Sequence, residues 1–155
     1  MAKELEVGDK APALSLPDQS GERVSLKDFT GKQVVLYFYP KDDTPGCTKE
    51  SCDFRDAMAL INKSGAVILG VSLDDKQSHQ KFIKKFDLPF TLLSDEEAAV
   101  SKTYGCYKEK NMYGRKYWGI ERSTFVIDQA GKLKAIFRKV KVGSHVDDVL
   151  MALKA

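Results

Sequence analysis

The stretch Gln33–Cys52, QVVLYFYPKDDTPGCTKESC, runs from a continuous apolar and β-branched segment through a polar loop to two cysteines five residues apart. Runs such as Gln33–Tyr39 suit a strand buried on both faces. Pro40 stops that strand, and from about Cys47 to Lys63 the apolar residues Phe54, Met58, Leu60 and Ile61 recur at helical spacing. Ser64-Gly65 ends the helix, with Gly65 suited to a left-handed cap.

The same alternation continues outward. Ala66–Ser72 reads as a second buried strand and Lys76–Phe86 as a helix with Phe82, Ile83 and Phe86 on one side. Pro89–Leu93 is a short extended piece, and Glu96–Tyr104 a third helix. Ser123–Ile127 and Leu133–Val140 are strands joined by the turn Asp128–Gly131, and a last helix covers about Val146–Lys154. Arg23–Leu26 is a short alternating segment near the start. Short right-handed crossovers make the centre of the sheet parallel, and the tight turn makes the late pair antiparallel. The expected fold is a single α/β domain over residues 1–155, a mixed central sheet flanked by helices on both faces. In such sheets ligands sit at the carboxyl ends of strands, which is where the two cysteines fall.

Composition narrows the function classes. Lys plus Arg number 25 and Asp plus Glu 22, a net charge of +3 with the signs interleaved, which argues against nucleic-acid binding. The N-terminus, MAKELEVGDKAP, lacks the apolar core of a signal peptide. No stretch is long and apolar enough for a bilayer. The expectation is a cytoplasmic protein. Three cysteines in a reducing compartment do not make a disulfide scaffold. A zinc site needs about four ligands, and only Cys106, His79 and His145 stand beside the pair, none in metal-ligand spacing.

Chemistry at the pair remains. At the first turn of its helix, with Thr44 and Pro45 before it, Cys47 faces unpaired N–H groups and the positive helix end. Both favour thiolate, the reactive species. Asp42 and Asp43 oppose this unless they face solvent, so a nearby arginine is sought: Arg23, Arg55, Arg115, Arg122 or Arg138. Five residues of ideal helix separate two Cα atoms by roughly 8 to 9 Å, whereas a disulfide needs them within about 6.8 Å. Cys47 and Cys52 therefore cannot join inside one intact helix, and joining requires the first turns to unwind. A thiolate beside a second thiol suits peroxide attack, giving a sulfenic acid that condenses to a disulfide. The Thr44 hydroxyl and the Cys47 N–H are candidate donors to the peroxide. The plainer alternative is two inert, partly buried thiols. Cys106 reads as a semi-buried apolar residue. His79 and His145 read as surface or helix-start residues, and Tyr113, Tyr117 and Trp118 as a loop near the site.

Several motifs match a known pattern: Pro40-x-x-x-Thr44-x-x-Cys47, Val7–Pro12, Phe90–Asp95, and Tyr117-x-Gly119-Ile120-x-Arg122-Ser123-Thr124-Phe125-x-Ile127-Asp128. The chain resembles the peroxiredoxins along most of its length, and YFYPKDDTPGCTKESC resembles their Q-type, or bacterioferritin-comigratory, subgroup. The resemblance implies a thioredoxin-like fold and a hydroperoxide-reducing enzyme without metal, haem or other cofactor. It makes Cys47 the peroxidatic cysteine and Cys52 the resolving one. It also implies that Thr44 bonds the peroxide, Pro40 shields the sulfenic acid, Arg122 stabilises the thiolate and Glu50 holds Arg122. Thioredoxin or a similar dithiol protein would reduce the disulfide, and the molecule would be a monomer, with a weak dimer open. Two other readings use the same cysteines: a redox-switched binding protein and a dithiol disulfide oxidoreductase.

Overall fold

The computed structural model describes residues 4–154. Its centre is a five-stranded sheet. Strands β3 (Gln33–Phe38), β4 (Ala66–Ser72) and β5 (Thr91–Ser94) run parallel, while β8 (Ser123–Ile127) is antiparallel to β3 and β9 (Leu133–Phe137) antiparallel to β8, in the spatial order β5-β4-β3-β8-β9. Every residue of β3 is buried, as a strand covered on both faces must be.

Alternate residues of β3 serve two cores. Val35, Tyr37 and Tyr39 join the core under α1 (Pro45–Asp56), α2 (Met58–Lys63), α3 (Lys76–Phe86) and α5 (His145–Lys154). Val34, Leu36 and Phe38 face the opposite core, as the two-residue side-chain period dictates. That second face is covered more lightly, by the short helix α4 (Ala99–Thr103), a 3-10 turn at Leu26–Phe29, and the antiparallel pair β1 (Ser15–Pro17) and β2 (Arg23–Ser25). Among the described residues no helix is long and apolar enough to cross a membrane.

Several sequence expectations need correction. The helix expected over 47–63 starts two residues earlier and divides at Ala57 (φ −92°, ψ 3°) into α1 and α2. β3 ends at Phe38, one residue short of the expected Tyr39, although the Tyr39 N–H still bonds the Val71 carbonyl at 3.0 Å as expected of that strand. The helix expected from Glu96 begins only at Ala99: Ala98 is left-handed (φ 61°), and the Asp95 carboxylate takes the Ser101 N–H at 2.7 Å. The last strand stops at Phe137. The supposed loop around Tyr113–Trp118 is a hairpin of β6 (Tyr107–Met112) and β7 (Arg115–Ile120), turning at Tyr113-Gly114, both with positive φ.

One close approach connects the sheet to the loop side of the molecule. Gly70 of β4 pairs with Tyr37 and Leu92 on its two sides. A Cβ there would lie 2.7 Å from Leu92 Cδ2 and 2.9 Å from the Tyr37 ring. The missing side chain lets Tyr37 lie flat enough for its hydroxyl to reach Ser51 Oγ of α1 at 2.9 Å. Gly70→Ala should therefore cost about 1–3 kcal/mol through overpacking. Urea unfolding checks this, and a midpoint equal to the wild type's would show that the ring has room to move.

Candidate active site

The end of β3 delivers the chain into a turn and then into α1. Thr44 is the N-cap, with extended backbone (φ −104°, ψ 155°), and Pro45 opens the helix. Proline suits that position because its absent N–H has no intrahelical acceptor there. The first amide to close a helical bond is that of Thr48, on the Thr44 carbonyl at 2.8 Å. The amides of Gly46 and Cys47 lie in the first turn, where helix geometry supplies no partner.

Cys47 is buried, and its sulfur accepts a hydrogen bond from Arg122 Nη2 at 3.3 Å. Arg122 sits in the short link between β7 and β8, anchored by the Val140 N–H on its carbonyl. Its other terminal nitrogen, Nη1, donates to Glu50 Oε1 at 2.7 Å. Gly46 makes the approach possible, since a Cβ there would lie 3.0 Å from Nη2. Burial works against the charge of Arg122, but Glu50 and Cys47 outweigh it and its pKa is raised.

Glu50 is fully buried, and burial pushes its pKa up to about 7 despite the opposing pull of Arg122. Its second oxygen, Oε2, has no hydrogen-bond partner among the described residues and lies 3.9 Å from His145 Nε2. That nitrogen is 2.7 Å from Thr124 Oγ1. Burial lowers His145 to about 4, with Asp148 opposing and Arg122 adding to the effect, so the ring is neutral at pH 7. His145 opens α5, in line with the helix-start reading, but both it and His79 are buried, against the surface reading. Long-range partners 21 and 37 residues away hold them, and no local pattern signals those.

The other expected site residues stand at different ranges. Thr44 is half-buried, and its hydroxyl hydrogen is committed to the Lys41 carbonyl at 2.9 Å. Toward a ligand it offers lone pairs while that bond persists. Pro40 is half-buried directly after the β3 register ends. Cys52 is half-buried in the same unbroken helix as Cys47, and all three cysteines are free thiols. Asp42 does not face solvent, whereas exposed Asp43 pairs with Lys85 at 2.8 Å. Cys106 is wholly rather than partly buried, and burial raises its pKa to about 11. The β6–β7 hairpin leads directly toward Arg122. Burial lowers the pKa of its Lys110, and the charge of Arg122 lowers it further.

What this arrangement can do follows from charge. A guanidinium N–H and a helix start both directed at one sulfur stabilise negative charge on it, and would equally polarise an oxygen bound beside it. The Glu50 carboxyl gives a pH test. Its folded pKa of about 7 exceeds its ordinary 4.5, so its contribution to stability is fully present below about pH 4.5 and is lost as the pH rises through about 7. The loss amounts to about 3 kcal/mol. Glu50→Gln should remove that part of the pH dependence between pH 4.5 and 8 in denaturant titrations. Parallel curves for wild type and variant would contradict the assignment.

Comparison with known proteins agrees with this geometry. Residues 7–136 match the AhpC/TSA family. Peroxiredoxin Bcp of Bacillus subtilis is 51% identical over 150 residues, covering 97% of this chain and 96% of its own. The bacterioferritin comigratory protein of Xanthomonas campestris, whose structures were determined for insight into its alkyl peroxide reduction activity, superposes with a TM-score of 0.89 at 43% identity, covering 96% of this chain and 98% of its own. A PrxQ cysteine-to-serine mutant from Xylella fastidiosa superposes with a TM-score of 0.92 at 36% identity, covering 99% and 98%. With the thioredoxin-like sheet and these matches spanning nearly its whole length, the chain belongs to the AhpC/TSA family and, within it, to the peroxiredoxins of the Q-type or Bcp group.

Proposed function

We propose that this chain reduces hydrogen peroxide and organic hydroperoxides to water and alcohols at Cys47, and that an intramolecular Cys47–Cys52 disulfide resolves the product. The observation that carries the reading is the 3.3 Å contact between Arg122 and the Cys47 sulfur at the first turn of α1.

The electron balance is simple. The Cys47 thiolate attacks the terminal oxygen of ROOH, the O–O bond breaks, and the departing RO⁻ takes a proton to leave as ROH. Cys47 is then a sulfenic acid. The Cys52 sulfur attacks the Cys47 sulfur, a water leaves, and a disulfide remains. Two electrons and two protons from an external dithiol protein of the thioredoxin kind restore both thiols. Arg122 stabilises the attacking sulfur and the O–O electrons, and Glu50 orients Arg122. Thr44 accepts from the peroxide, and Pro40 limits access to the sulfenic acid.

Both cysteines lie in α1, so resolution needs only one chain and suits a monomer, with a weak dimer compatible. The chain acts as one domain, 1–155. A cytoplasmic location fits the reducing conditions that keep these thiols free.

Three measurements test the reading. Cys47→Ser should abolish peroxide consumption, while Cys52→Ser should still yield one sulfenic acid at Cys47, detected by mass spectrometry after dimedone trapping. Equal peroxide consumption by wild type and Cys47→Ser would refute it. Arg122→Met should lower the second-order rate constant with peroxide by about 10²–10³-fold, the scale of removing one preorganised donor. Catalytic, peroxide-dependent oxidation of reduced thioredoxin separates a peroxidase from a redox-switched binder and from a disulfide oxidoreductase.

A further inference from the structure

Between Pro40 and Thr44 the chain is tied to the sheet edge by a buried network that the chemistry above does not use. The Asp42 side chain is 3% exposed, and both its oxygens are occupied. Oδ1 accepts from the Tyr39 hydroxyl at 2.5 Å; Oδ2 accepts from Ser78 Oγ at 2.8 Å and lies 2.7 Å from His79 Nδ1. The Asp42 N–H donates to Asp74 Oδ2 at 2.8 Å, and that oxygen also accepts from the Ser72 hydroxyl at 2.7 Å. The second ring nitrogen of fully buried His79, Nε2, lies 3.0 Å from the Leu93 carbonyl. A carbonyl oxygen only accepts, so Nε2 carries a hydrogen and donates. His79 thus bridges Asp42 to the carboxyl-end residues of β5.

Placement gives this network its meaning. Forming the Cys47–Cys52 bond requires α1 to unwind, and unwinding extracts Glu50 and Ser51 from their contacts with Arg122 and Tyr37. The segment that must move is bounded downstream by Phe54, which is fully buried against Tyr37. Its upstream bound is Asp42. Resting on the mechanism proposed above, we infer that His79 and Asp42 are positioning residues: they clamp the Pro40–Thr44 turn, hold Cys47 opposite Arg122 while α1 is wound, and confine unwinding to the residues after the clamp. A clamp of this kind favours the wound, peroxide-reactive state at the expense of the unwound, disulfide-forming one. Loosening it moves the two steps in opposite directions.

Rapid-quench mass spectrometry on the full-length protein resolves both steps. In His79→Leu the rate constant for sulfenic acid formation should fall about tenfold, the scale of one charge-assisted hydrogen bond. The subsequent rate of disulfide formation should rise, and the fraction overoxidised to sulfinic acid at high peroxide should drop. His79→Asn, whose amide can still donate to Asp42, should recover most of the first rate. Ser78→Ala removes only one hydroxyl from the network and should shift both rates the same way by less, so the test survives if His79→Leu folds poorly. Two rates that fall together in these variants, or that stay at wild-type values, would overturn the clamp. Failure of the underlying mechanism shows itself separately, as a wild-type protein that consumes peroxide without forming a Cys47–Cys52 disulfide.

Discussion

One guanidinium holds the site together. Arg122 gives one nitrogen to the Cys47 sulfur and another to the Glu50 carboxyl. Its two partners lie three residues apart, a spacing that places both on the same side of a wound helix. The contact therefore depends on an intact α1, and it is close-packed at residue 46, where a Cβ would lie 3.0 Å from the guanidinium. Reactivity, helix integrity and local packing are coupled through that one contact.

That coupling stands in conflict with the proposed Cys47–Cys52 disulfide. The geometry that places Cys47 against Arg122 keeps Cys52 five residues further along a regular helix, too far for a disulfide. The ring that a Cys47–Cys52 bond closes contains Glu50 and Ser51, both fully buried in the wound state. The proposed disulfide would therefore break the Arg122–Glu50 ion pair and the Ser51–Tyr37 hydrogen bond and expose two buried residues.

Much of this was legible in the residues. The apolar runs of β4 and β8 and the amphipathic pattern of α3 mark their observed bounds, because each depends on local periodicity and caps. The motif around Cys47 pointed to thiol chemistry. Local signals failed where structure depends on distant partners. The β6–β7 strands are mostly exposed and mix polar residues such as Lys108, Glu109 and Lys116 with exposed Met112, Tyr117 and Trp118, so no apolar alternation announces them. The burial of His79 and of His145, which opens α5, had no local signal because the carboxylate and hydroxyl that satisfy them come from other elements. Composition and spacing alone could not choose Arg122 among five candidate arginines. Family resemblance did, and the fold brings that residue to the sulfur across 75 positions of sequence.

The central claim is that the peroxide-reactive state is helical at Cys47–Cys52 and the disulfide state is not. Amide hydrogen exchange across residues 45–54, compared before and after one equivalent of peroxide, tests it most directly. Protection in the dithiol form and its loss over 47–52 on oxidation, with β3 and β8 unchanged, is the outcome the account requires. A disulfide-bonded protein whose amides over 47–52 remain as protected as in the dithiol form would contradict it.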